Sequence, residues 1–283
     1  MNDANPNTKL SFSRTTVVDI GSTKIACHRH GQGQRVVCLH ATGHSGRDFL
    51  DLAHQLGDQF EFIAVDWPGQ GESPRGSVKA SADEYSDILD AVITALQIDN
   101  YILIGNSIGG AAAIVQANRN SEGLAGLVLC NPGGLQPVNL IARLYCRHKA
   151  RMFKKGEEGD PKFARKFRRY YEKAILPEKA AMWRREEIIA TGYEMAPVLR
   201  EAWESFTQSD SDIRSLVSTL SVPVLYAWAR RDQAVSWGRS KKAVATTPNR
   251  SVELFDGGHC AFLESPDAFQ RAFTAFADKL TAH

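Results

Sequence analysis

The run Tyr101-Ile102-Leu103-Ile104-Gly105-Asn106-Ser107-Ile108-Gly109-Gly110-Ala111-Ala112-Ala113 decides how this chain folds. Its first four residues are apolar and bulky, as in a strand buried on both faces. The alanine-rich segment after the two glycines reads as a helix. Between them lies a very tight turn with Ser107 at its apex. Such a turn forces the apex residue into a strained backbone conformation. Gly105 and Gly109 must be small because neighbouring backbone passes close to them. The serine hydroxyl is then held out at the C-terminal edge of a sheet. The helix start behind it offers backbone N–H groups to a developing negative charge.

The same rhythm extends to both sides. Thr15–Ile20 and Ser22–His28 read as two strands around Gly21, an antiparallel start. Arg35–His40 and Phe60–Val65 are buried strands, each ending in a loop of small residues, His40–Gly46 and Asp66–Ser73. A helix is expected over Ala82–Leu96, where Ile88, Ala91, Val92 and Ala95 recur at helical spacing. Leu124–Cys130, Val222–Trp228 and Ser251–Phe255 are further strands, and Asp267–Leu280 is a closing amphipathic helix. From Leu135 to about Ser218 no buried strand is evident; helices are expected, ending with one over Glu201–Leu220. Strands alternating with helices imply a mostly parallel sheet covered on both faces, with its site at the C-terminal strand ends. The loops holding His40–Gly46, Asp66–Ser73, Ser107, Asp232 and His259 therefore meet at one edge. The 135–218 insertion leaves from that edge and is positioned to cover it.

The net charge of the 283 residues is +2, but it is unevenly spread. Between Arg143 and Arg185 fifteen Lys or Arg stand against five Asp or Glu, leaving about −8 on the rest of the chain. The basic insertion is open to three readings: a solvated helical face, a docking face or funnel for an acidic carrier protein or anionic substrate, or a nucleic-acid-binding run. Nothing outside it supports nucleic-acid binding. No apolar run approaches the ~18 residues of a membrane helix. The polar start Met1–Asn7 lacks the basic and apolar regions of a signal peptide. Five scattered cysteines form no disulfide or metal pattern, so a cytoplasmic protein without cofactor or metal is expected.

A serine hydroxyl needs a general base within hydrogen-bond reach, and the base needs a third group to fix its tautomer. His259, on a glycine-flanked loop after the last strand, is the candidate base. Asp232, one loop after the preceding strand, is the candidate acid. Asn131, in the loop after Leu124–Cys130, is no candidate acid, because its amide cannot hold the charge. Asp66 reads as the tie of its own loop, and His40 as a structural brace.

Gly105-Asn106-Ser107-Ile108-Gly109 in its strand–turn–helix context resembles the nucleophile elbow of the α/β-hydrolase family, and the order Ser, Asp, His is the order that family uses. The resemblance covers residues 12–280 apart from the insertion. It implies an eight-stranded α/β-hydrolase core over 1–134 and 219–283, with a helical cap over 135–218. It also implies an oxyanion hole from the backbone N–H groups of Ile108 and Thr42. Ala41 stands where the family usually has glycine. Gly105–Gly110, Pro132-Gly133-Gly134 and Gly257-Gly258-His259 are similar to the meta-cleavage-product hydrolases, which cut C–C bonds in vinylogous diketo acids. In that group the residue matching Asn106 lines the site, and His44 is a second candidate for the pocket wall. Cys260 stands where those enzymes commonly carry Trp. The leading expectation is carboxylic ester hydrolysis through an acyl-enzyme. Thioester or carrier-linked acyl hydrolysis, C–C cleavage, and a non-catalytic ligand sensor on the same fold are the alternatives.

Overall fold

The computed structural model describes residues 10–21 and 23–281; Met1–Asn7 and Ser22 lie outside them. Eight strands form one sheet: β1 (Arg14–Asp19), β2 (Lys24–Gly31), β3 (Gln34–Leu39), β4 (Phe60–Val65), β5 (Tyr101–Asn106), β6 (Leu124–Cys130), β7 (Val224–Ala229) and β8 (Arg250–Phe255). Their spatial order is β1-β2-β4-β3-β5-β6-β7-β8. Only the β1–β2 and β2–β4 pairs are antiparallel; from β4 to β8 every pair is parallel.

The strand period of two splits the core into two layers. Val37, Leu39, Leu103, Leu127, Leu129, Tyr226 and Trp228 point to one face. Val36, Cys38, Ile102, Ile104, Val128, Cys130, Leu225 and Ala227 point to the other. The first face is covered by α2 (Ala82–Ala95), α3 (Ile108–Arg119) and α8 (Trp237–Val244); the second by α1 (Leu50–Leu56), α9 (Ala261–Glu264) and α10 (Pro266–Thr281). Ser81 opens α2 by accepting the Glu84 N–H at 3.2 Å.

Between β6 and β7 the chain is helical: α4 (Leu140–Glu157), α5 (Phe163–Tyr170), a π turn at Tyr171–Ile175, α6 (Met182–Ala190) and α7 (Gly192–Ser205). Phe153, Phe163, Phe167, Tyr171 and Leu199 give these helices an apolar interior continuous with the second face. The helix expected over 201–220 stops at Ser205 instead. The Ser205, Thr207 and Ser211 hydroxyls donate to carbonyls of the preceding turns at 2.9, 2.7 and 3.2 Å, offering the backbone an alternative to further helix. Ile213, Val217 and Leu220 pack into the first core face, as do Val198 and Ala202 of α7.

Candidate active site

Ser107 takes φ +56°, ψ −117°, a conformation that costs roughly 1–3 kcal/mol for a non-glycine residue. Its neighbours hold it there. The Ser107 N–H donates to the Cys130 carbonyl at 3.1 Å, and its own carbonyl accepts from Ala111 and Gly133 at 3.0 and 2.9 Å. A methyl at Gly109 would lie 2.5 Å from the Leu39 carbonyl oxygen, and one at Gly105 2.6 Å from that of Gly109. The tight strand-to-helix packing thus excludes any side chain at either position. Ser107 is partly exposed, whereas residues 101–106 and 108–117 on both sides are buried.

Asp232 follows β7 and is 7 % exposed. Its Oδ1 accepts the N–H groups of Ala234 and Val235 at 2.7 and 2.8 Å. Its Oδ2 lies 2.6 Å from His259 Nδ1 and accepts from Asn131 Nδ2, also at 2.6 Å. His259 is carried on the loop after β8. Glu264, at the end of α9, pins that loop by accepting the N–H groups of Gly258, His259 and Cys260 at 2.8–3.0 Å. Burial pulls the His259 pKa down, but the Asp232 charge and hydrogen bond outweigh it and leave the imidazole above its ordinary 6.5. With Nδ1–H committed to Asp232, Nε2 is the ring nitrogen left to exchange a proton.

The loop after β3 is fixed at several points. His40 is buried between Ala41 O, 2.7 Å from Nδ1, and the Trp67 N–H, which donates to Nε2 at 3.1 Å. Burial drives its pKa down to about 4, so it is a neutral brace. Gly43 N–H donates to Gln70 Oε1 and Gly46 N–H to Asp66 Oδ1, each at 2.6 Å. Asp66 also accepts from Glu72 N–H at 2.7 Å and faces His28 Nε2 at 2.8 Å, so it ties two loops together. Thr42 is left at the cavity wall. Ile108 is the first residue of α3, where an N–H has no helical partner.

A cavity of about 790 Å³ joins these groups: Ser107, His259, Asp232, Thr42 and His44 all line it. Tyr145, Tyr170, Leu199, Trp203 and Phe206 supply apolar wall from the inserted helices. His44 is held from behind, with Nδ1 2.6 Å from Asp48 Oδ2. Asp48 Oδ1 accepts Arg184 Nε from α6, also at 2.6 Å. Although burial opposes ionisation, His44 and Arg184 hold the Asp48 carboxyl well below the usual carboxylate range.

Asn106 is a correction to the sequence expectation. It does not line the cavity but is fully buried behind Ser107. Its Nδ2 donates to the carbonyls of Cys130 and His259 at 2.9 and 3.0 Å, and its Oδ1 accepts from Cys260 Sγ at 3.0 Å. The last residue of β5 points into the sheet-side packing because strand alternation turns it away from the apex. Cys260 is fully buried, and burial pushes its thiol well above the ordinary value. Asn131, Glu264, Asp48 and Arg184 complete the site. Sequence gave no pattern for the last two, since their pairing spans 136 residues. Among the described residues no group of three or more His, Cys, Asp or Glu is placed to hold a metal.

The family model of the alpha/beta hydrolases matches residues 36–272. The chain belongs to the alpha/beta hydrolase family. This hydrolase is 25% identical to a 2-hydroxy-6-oxo-6-phenylhexa-2,4-dienoate hydrolase of Burkholderia cepacia, over 93% of this chain and 96% of that one. It is likewise 25% identical to a 2-hydroxy-6-oxononadienedioate/2-hydroxy-6-oxononatrienedioate hydrolase of Cupriavidus pinatubonensis, over 95% and 96%. An esterase from Exiguobacterium antarcticum superposes with TM-score 0.79 at 18% identity, covering 94% of this hydrolase and all 100% of that chain. At such identity the structural likeness speaks for the fold.

Proposed function

We propose that the protein is a serine hydrolase that cleaves a carboxylic ester. One observation carries this reading: the buried Asp232–His259 pair, 2.6 Å apart, opens on the same cavity as the strained Ser107. His259 Nε2 takes the Ser107 proton as Oγ attacks the acyl carbon. Asp232 holds the imidazole in the correct tautomer and stabilises its positive form. The oxyanion is met by the N–H groups of Ile108 and Thr42. His259 then protonates the leaving alcohol, and water activated by the same ring releases the acid. The helices inserted between β6 and β7 act as a cap whose aromatic wall shapes the acyl pocket.

The test is labelling with a fluorophosphonate probe. The protein labels and Ser107→Ala does not; absent labelling, or equal labelling of the variant, overturns the serine mechanism. C–C cleavage is the second reading, favoured by the names of the two relatives above. Loss of colour from a ring-fission dienolate supports it; good hydrolysis of a p-nitrophenyl ester beside an unchanged dienolate rules it out.

A further inference from the structure

Helix α4 has one face that its own fold leaves exposed. At 100° per residue, Leu140, Leu144, Arg147, His148, Arg151 and Lys155 fall within a sector of about 100°. All six are exposed. The opposite face, with Cys146, Ala150 and Phe153, is buried. The exposed face divides along its length. Its first turns are apolar, with Leu140 70%, Ile141 69% and Leu144 55% exposed. The remainder is basic, and the helix has no acidic residue before Glu157. Among the described residues no carboxylate lies within ion-pair distance of Arg147, Arg151 or Lys155. The apolar end also borders the cavity, since Ile141, Ala142 and Tyr145 line the space that holds Ser107.

Projecting aliphatic side chains beside unpaired cations suit one surface in particular. Hydrocarbon accepts the leucines, and anionic headgroups accept the arginines. A second copy suits it poorly. A two-fold contact centred on the helix would lay Leu140 and Leu144 against Lys155 and Arg151 of the other molecule, burying charge on aliphatic surface. No described helix is long and apolar enough to cross a membrane, so contact is with the surface alone.

We propose that α4 docks the protein on an anionic lipid surface, with Leu140, Ile141 and Leu144 inserted and Arg147, Arg151 and Lys155 on the headgroups. The cavity then borders the interface, where a lipid-dissolved substrate enters without crossing water. Docking stands independently of the serine chemistry.

Cosedimentation of the whole protein with vesicles tests it, using phosphatidylcholine alone and phosphatidylcholine mixed with phosphatidylglycerol. The protein pellets with the mixed vesicles at low salt, much less at high salt, and little with the neutral ones. Arg147→Glu with Arg151→Glu weakens binding by more than about tenfold. Leu140→Gln with Leu144→Gln does the same. Both variants alter exposed residues, and both keep the parent's melting temperature and its rate on a small water-soluble ester. Failure to pellet, equal binding to neutral vesicles, or variants that bind like the parent overturn the proposal. So does a solution dimer that Leu140→Gln with Leu144→Gln dissociates while vesicle binding is absent.

Discussion

Asn131 donates from Nδ2 to the same Asp232 oxygen that faces His259 Nδ1, each at 2.6 Å. Asn131 sits after β6 at φ +44°, and its Oδ1 accepts the Ala229 N–H at 2.9 Å. Asn131 is thus a neutral donor that steadies the carboxylate of Asp232, the proposed acid. Asp232→Asn is expected to lower kcat about 10⁴-fold by removing the charge that fixes the His259 tautomer. Adding Asn131→Asp returns a carboxylate beside His259 and restores at least about tenfold. Asn131→Asp alone sets two carboxylates against each other and lowers activity. Ester kinetics on the three variants, with circular dichroism to confirm folding, check this.

The pH profile follows from His259. As the proposed base it acts only when neutral, and Asp232 holds its pKa above 6.5 despite burial. The kcat/KM of ester hydrolysis therefore rises with pH through a midpoint above 6.5. The same shift stabilises the folded state below the unfolded pKa, and that contribution disappears as pH rises through the folded value. Asp232→Asn moves the midpoint down. A pH–rate profile whose midpoint lies below 6.5 in the parent would contradict the assignment.

Arg184 bridges α6 to the loop after β3. It is 6% exposed, and it serves Asp48, Ser45 and Glu187 at 2.6, 2.9 and 3.1 Å. Arg184→Ala leaves the buried Asp48 carboxylate with His44 as its remaining side-chain partner and costs about 3 kcal/mol in urea unfolding. Because the Asp48 pKa is depressed, its contribution is present above the unfolded carboxylate value and is lost as pH falls through the folded one. The parent and Arg184→Ala therefore converge in stability in acid.

Glu264 holds the loop that carries His259, the proposed base, and does not line the cavity. Its carboxylate gathers three consecutive N–H groups, although burial raises its pKa. Glu264→Ala leaves those donors buried and costs about 1–3 kcal/mol. Loosening the loop lowers kcat more than it raises KM. Glu264→Gln, which keeps one acceptor oxygen, recovers part of both. Steady-state kinetics beside thermal melts separate this from plain destabilisation, which would lower the melting temperature and leave kcat per folded molecule unchanged.

What the sequence determined by itself was local and periodic. Alternation and apolar runs marked the strands, and Gly105 and Gly109 around Ser107 marked the turn. Chain order pointed to Asp232 and His259, because each lies one loop beyond a recognisable strand. Helix ends in the insertion were poorly legible: Ser205–Ser211 back-bonding competes with helix formation in a way that composition alone does not rank. Tertiary structure decided which side chains face the cavity. It turned Asn106 to the packing behind the elbow and brought His44 to the wall, held by Asp48. It paired Arg184 with Asp48 across 136 residues and Asn131 with Asp232 across 101. Such pairs are set by where strand ends and the helices between β6 and β7 converge, and no period in the chain encodes a contact between segments that distant.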